Sequence, residues 1–328
     1  GTGVVEGAQA DNIFNGGNFQ FTARRSRFWI QTWTPTDWGE LRTYLEADFA
    51  GSGAAAGSST NLLRLRQAFG TLGPVLIGKT QTLFGGFIGL PELLHDGAPY
   101  APGALRIEQI RYSHNFGGGF VFNVALESGP GTSDAGVAAG HDVIGVTPAG
   151  GAFTSAVAGP QRWPDVVASL QWNFPNGALY ASGMIGQRDV DNGGLTVLQQ
   201  DDTAIVWGGT LGGRYDFGRV EIGAQGAIGS GIGNKYLDGG ATGFVDSVVV
   251  ANATTQGADL RPVLGYMVQG YVQVKLTDTI RATGVYGWGM HEVLSEVPGP
   301  VAAAKATLTN RVQGYWAAFG NLLWNPGP

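Results

Sequence analysis

Four stretches of the chain alternate apolar and polar residues with a period of two, each over about ten residues. In 119–128, Phe120, Phe122, Val124 and Leu126 fall on one side, Asn123 and Glu127 on the other. In 165–174 the apolar row is Val166, Ala168, Leu170, Trp172 and Phe174, set against Asp165, Ser169, Gln171 and Asn173. The stretch 264–276 opposes Leu264, Tyr266, Val268, Val272, Val274 and Leu276 to Gln269, Gln273 and Lys275. In 40–49, Leu41, Leu45, Ala47 and Phe49 oppose Glu40, Arg42, Glu46 and Asp48. Such alternation predicts β-strands with one apolar and one polar face.

The connections alternate as well. Short turns near Pro35–Gly39, Leu72–Pro74, Phe116–Gly119, Pro175–Gly177, Phe217–Gly218 and Thr277–Thr279 are interleaved with longer Gly/Ala/Ser/Thr-rich loops over 50–60, 82–104, 129–162, 190–202, 230–260 and 292–308. Tight turns on one side and long loops on the other are the mark of an up-and-down transmembrane barrel, and roughly thirteen strands are visible on this reading. The fold class expected is all-β, a transmembrane antiparallel up-and-down β-barrel formed by residues 1–328 as a single domain. The first visible strand, 19–33, runs from an outer loop to a short turn, and the chain stops on the turn-like Asn325–Pro328. An even strand count with both termini at the short turns then implies strands missing at both ends.

Composition sharpens this picture. Of 328 residues, 56 are Gly, 13% are charged and 43% are hydrophobic, with no cysteine. Cysteine-based metal and disulfide scaffolds are excluded, and the apolar content argues against disorder. No segment approaches the ~18 consecutive apolar residues of a membrane-crossing helix, so a spanning chain would have to close as a barrel. Trp33, Trp38, Trp172, Trp288, Trp316 and Trp324 fall near predicted strand ends, where amphipathic rings mark a membrane interface. A net charge of −6 offers no basic stripe to nucleic acid.

From Ala23 the chain reads ARRSRFWIQTWTPTDWGELRTYLEADF, and from Leu63 LRLRQAFGTLGPVLIGKTQTLF, with GLPELL at 89–94, QIRYS at 109–113 and NLLWNP at 321–326. In these strings and their order it resembles the dicarboxylate-porin (DcaP-like) family of outer-membrane channels. The resemblance implies a barrel of about sixteen strands, one lying upstream of residue 1 and two downstream of 328, assembled as a homotrimer in the bilayer and lipopolysaccharide of the bacterial outer membrane. It also implies passage of small anionic solutes such as dicarboxylates, with no cofactor.

Most basic residues lie on predicted strands. Alternation points Arg42, Arg64, Arg66, Lys79, Arg111, Arg188, Arg214, Arg281 and Arg311 inward, since an Arg in mid-membrane lipid costs about 2–4 kcal/mol. Two readings follow: a ladder of guanidinium groups that attracts anions, or structural pairing with Glu46, Asp48 and Glu127. Loop 82–104 is expected to fold inward and narrow the pore, bringing Phe84, Phe87, Glu92, His95 and Asp96 towards the basic wall; an ordinary solvent loop is the alternative.

Enzyme motifs fail on context. Gly73–Thr80 satisfies G-x-x-x-x-G-K-[ST], yet its variable positions are a β-like Val-Leu-Ile run with no helix signal after it. The four His are scattered without metal-ligand spacing, and no G-x-S-x-G elbow is present. The rival to a channel is a soluble or surface-exposed Gly-rich β-sheet that binds or adheres; such a sheet would bury its apolar face and wet its polar one.

Overall fold

A computed structural model describes residues 23, 26–51, 62–86, 90–92, 105–128, 143–146, 157–158, 162–191, 202–237, 244, 246–251, 258–296 and 314–326. Its strands are β1 (Arg27–Thr36), β2 (Gly39–Gly51), β3 (Leu62–Leu72), β4 (Val75–Gln81), β5 (Arg106–Gly117), β6 (Phe120–Glu127), β7 (Val143–Val146), β8 (Val157–Ala158), β9 (Asp165–Phe174), β10 (Gly177–Asp191), β11 (Asp202–Asp216), β12 (Val220–Ser230), β13 (Ser247–Ala251), β14 (Ala258–Pro262), β15 (Leu264–Lys275), β16 (Ile280–His291) and β17 (Gly314–Trp324). Thirteen of them form one continuous antiparallel meander, β1 to β6, then β9 to β12, then β15 to β17, with the two-residue β8 paired to β10. That is the up-and-down order and the strand number the alternating turns and loops predict. The four period-two stretches emerge as β2, β6, β9 and β15.

The sheet is inside out by the standards of a soluble protein. Leu45, Ile77, Ile110, Leu170, Leu211, Val268 and Leu322 form outward rows of large apolar side chains open to the surroundings, while Glu46, Asp48, Glu127, Asp165, Arg188 and Gln269 are buried on the other face. A wall whose apolar side chains face lipid and whose polar ones face inward reads this way. The soluble-sheet alternative requires the reverse.

Along the short-turn margin runs an aromatic ladder. Phe120 stacks on Trp172 at 5.2 Å, Trp172 meets Phe174 at 4.8 Å, Phe174 meets Tyr215 at 6.2 Å, and Tyr215 meets Phe217 at 4.5 Å. These rings sit where a bilayer meets water. The short turns that bring the strands so close require glycine at Gly119, whose φ is +85° and whose β-carbon would stand 1.9 Å from the Asn173 carbonyl oxygen.

The long connections hold structure that alternation did not reveal. β14, β13 and β7 form a separate three-stranded sheet, with β13 parallel to β7. A π-helical turn spans Gly233–Leu237. From these connections Leu83, Phe84, Ile232, Tyr236, Leu237 and Phe244 pack against the inward wall residues Ala125, Val167, Met184, Ala227 and Met267. The apolar core therefore lies within the polar side of the sheet, built by loops that fold onto it.

Candidate functional site

The inner face of β1–β3 carries a dense ionic cluster. Arg64 grips Asp48 through two bonds, Nε to Oδ1 at 3.0 Å and Nη2 to Oδ2 at 2.6 Å. Arg66 reaches both acids, Nε to Glu46 Oε1 at 2.7 Å and Nη1 to Asp48 Oδ2 at 2.7 Å. Arg27 Nε adds a contact with Glu46 Oε1 at 3.3 Å. Three guanidinium groups thus surround two carboxylates. A register shift makes this crowding possible: Glu46 pairs with Gln67 and Ala47 with Leu65, so Arg66 is the extra residue of a β-bulge. A bulge turns two consecutive side chains to one face, and here Gln67 also donates to Glu46 Oε2 at 3.2 Å while Thr80 Oγ1 donates to Gln67 Oε1 at 2.8 Å.

A second network anchors the loops. Glu127, fully buried, accepts from Thr82 Oγ1 at 2.7 Å and from the Leu83 backbone N–H at 2.8 Å. The Tyr236 hydroxyl lies 3.2 Å from Glu127 Oε2 and donates to Asp165 Oδ2 at 2.9 Å. Burial pushes the Tyr236 hydroxyl pKa far above its usual value, so it stays protonated and keeps a proton to donate. Asp165 is in turn held by Arg188, Nη1 to Oδ1 at 2.8 Å and Nη2 to Oδ2 at 3.1 Å, with both side chains out of contact with solvent. Phe84 packs edge-on against Tyr236 at 5.2 Å, and the backbone carbonyls of Leu83 and Phe84 accept from Tyr180 and Ser182.

The connection after β4 then continues across the polar face. Glu92 meets β15–β17: Arg281 donates Nε to Oε2 at 2.6 Å and Nη2 to Oε1 at 2.5 Å, and Gln273 Nε2 donates to Oε2 at 3.3 Å. Asn321 Nδ2 donates to the Glu92 backbone oxygen at 3.2 Å. The Arg281 hydrogen bonds hold the Glu92 carboxyl pKa below its ordinary value of 4.5. One connection thereby touches the sixth and eighth strands of the meander and its last three.

The remaining candidate residues divide by environment. Arg42 is exposed, its guanidinium carbon 5.9 Å from the Trp33 ring centroid, a cation–π distance. Arg214 is exposed on the inner row of β11, in a recess it shares with Asn173, Gly177 and Glu221 near the short turns. Among the described residues neither Arg42 nor Arg214 has a carboxylate within bonding distance. Arg111 binds amide oxygens, Gln109 Oε1 at 2.8 Å and the Gln81 carbonyl at 2.6 Å. Lys79 pairs with Glu108 at 3.0 Å and is buried; its register opposite Ala68 and Glu108 gives it the parity of Ile77 and Ile110, but those two are exposed, and Gly78 beside it has a φ of +131°. Phe87, His95, Asp96 and Arg311 lie outside the described residues.

Tyr236 and Gln67 are the working side chains that sequence reasoning missed. Gln67 had a signal, the break it makes in the alternation of Leu63-Arg-Leu-Arg-Gln; Tyr236 stands alone in a Gly-rich loop and had none.

A meander that presents apolar side chains outward, rings its short-turn edge with aromatics and draws its loops onto a charged inner face is the wall of a transmembrane β-barrel channel. The chain belongs to the porin subfamily, whose profile matches residues 7–322, and its place is the bacterial outer membrane. It is similar in fold to the outer membrane channel DcaP of Acinetobacter baumannii, at 19% identity and a TM-score of 0.72 over 94% of this chain and 76% of that one. More distant likenesses are a porin refined at 1.8 Å, at 12% identity and a TM-score of 0.45 over 92% of this chain and 83% of that one, and the trimer form of OmpT of Vibrio cholerae, at 12% and 0.41 over 81% and 69%. No protein of curated function matches the chain.

Proposed function

We propose that this porin conducts small anions in preference to cations, with dicarboxylates the leading class of solute, and that it works as a homotrimer. The observation that carries the anion preference is the set of water-facing arginines on the inner rows, Arg42 and Arg214, that have no carboxylate partner among the described residues. The Glu46–Asp48 cluster supports it, since three guanidinium groups outnumber its two acids. A planar guanidinium fork suits carboxylates, and charged rings set pore selectivity. Arg188 takes a structural part, because Asp165 neutralises it in a buried pair. Lys79 is left out of the conducting set because it is buried and paired with Glu108. The connection over 82–104 narrows the bore, supported by its contacts with Glu127, Tyr180 and Arg281. Dicarboxylates and the trimer rest on the likeness to the DcaP-like channels.

The test is the reversal potential of single channels in a potassium chloride gradient. An anion-leaning potential that moves towards zero in Arg42→Ala and Arg214→Ala supports the proposal. A cation-leaning potential overturns it.

A further inference from the structure

The arrangement around Glu92 has the form of a receptor with its ligand in place. Arg281 presents Nε and Nη2 to the two oxygens of one carboxylate, and Gln273 adds a third donor from the neighbouring strand. Both partners remain in contact with water, Glu92 with half its side chain exposed and Arg281 with 30%. A structural ion pair such as Arg188–Asp165 is, by contrast, sealed from solvent. The two guanidinium donors and the carboxylate oxygens form the parallel fork that also binds free carboxylates. Lys275 stands directly opposite Arg281 in the β15–β16 ladder, with its ammonium on Asp216 Oδ2 and the Gly218 carbonyl at 3.2 and 2.9 Å.

We propose that Arg281 and Gln273 form a carboxylate subsite on the channel wall, which the chain's own Glu92 occupies when no solute is present. A permeating carboxylate and Glu92 compete for the same three N–H groups. The inference rests on the anion-conducting reading above and adds to it a place on the wall and an internal competitor. Asn321 acts on the competitor alone, through the Glu92 backbone carbonyl. Exposed ion pairs are weak, so Glu92 lowers the affinity for solute by about fivefold at most rather than blocking the subsite.

The experiment is a double-mutant cycle on the full chain in planar bilayers, with succinate as the probe and its dissociation constant read from solute-induced current fluctuations. Glu92→Gln removes the competing charge and is expected to tighten succinate binding by about fivefold. Arg281→Gln weakens binding, and in that background Glu92→Gln changes it by less than about twofold. An equal gain in both backgrounds overturns the subsite, because it reports only one negative charge fewer in the bore. Unchanged affinity in Glu92→Gln overturns it too. Should Glu92→Gln fail to fold, Asn321→Ala, which frees the same segment without altering charge, is expected to tighten binding in the same direction, and no change there is equally fatal. A cation-leaning reversal potential in the parent channel would instead sink the underlying anion reading, so the two failures are told apart.

Discussion

Replacing Glu127 by alanine is expected to detach the connection after β4 from the wall. Glu127 is fully buried, accepts from Thr82 Oγ1 at 2.7 Å and the Leu83 backbone N–H at 2.8 Å, and lies 3.2 Å from the Tyr236 hydroxyl. Tyr236 keeps Asp165 as an acceptor at 2.9 Å, and the π-helical turn therefore stays pinned. Thr82 and Leu83 lose their anchor, and the buried Leu83 N–H is left without its acceptor. A stranded buried donor costs about 1–3 kcal/mol, and each lost bond to a charged group about 1.5–3 kcal/mol, with strong overlap between the two. A destabilisation of about 3 kcal/mol follows. Glu127→Gln keeps one oxygen for Leu83 and offers an amide to the two hydroxyls, so it exchanges charge-assisted bonds for neutral ones of roughly half the strength. Its cost is about 1 kcal/mol. Equilibrium urea unfolding in lipid vesicles, followed by fluorescence of the nine tryptophans, measures both. An alanine variant within about 0.5 kcal/mol of the parent, or a glutamine variant that is the less stable of the two, would refute the anchoring argument.

Val268→Arg places a charge on the outward row of β15, where valine is exposed; facing lipid it costs about 2–4 kcal/mol, while a water-facing site would register less than about 0.5 kcal/mol in the same urea assay. Gly78→Ala puts a β-carbon 2.2 Å from the Ala68 carbonyl oxygen at a φ of +131°, and is expected to lose about 1–3 kcal/mol of stability. Arg214→Ala, with no carboxylate partner among the described residues, shifts selectivity in bilayers while leaving the urea midpoint unchanged. The Glu92–Arg281 contact carries a lowered carboxyl pKa, so it is complete above pH 4.5 and is lost as pH falls through that lowered value. Channel conductance in the parent should therefore approach that of Glu92→Gln on acidification, and parallel pH profiles would contradict the contact.

What was legible beforehand follows from the two media that the wall separates. Lipid on one side and a polar interior on the other impose a period of two on every strand long enough to cross, which is why β2, β6, β9 and β15 could be bounded to within a residue or two. Alternation weakens where the backbone departs from a regular ladder. At Arg66 and Gln67 the bulge sends both side chains inward, and a strict period assigns one of them to the wrong face. Lys79 was assigned inward by the same alternation; its register beside Ala68 gives it the parity of Ile77, yet its side chain is buried where Ile77 is exposed, next to Gly78 whose φ of +131° departs from a regular strand.

The contents of the bore obey a different rule. Glu92 and Arg281 are 189 residues apart, and Tyr236 and Glu127 109. Neither pair leaves a local trace, because each member needs only to be polar and inward for the strand pattern to be satisfied. Alternation can therefore say that an arginine faces inward, but only the register of distant strands decides its office. Arg188 is neutralised by Asp165, Arg281 holds the chain's own carboxylate, and Arg214 faces water with no carboxylate in bonding reach among the described residues. A selectivity argument built on counting inward arginines would weigh these three alike. On the proposals made above, the first serves stability, the second competes with solute, and the third acts on passing ions through its charge.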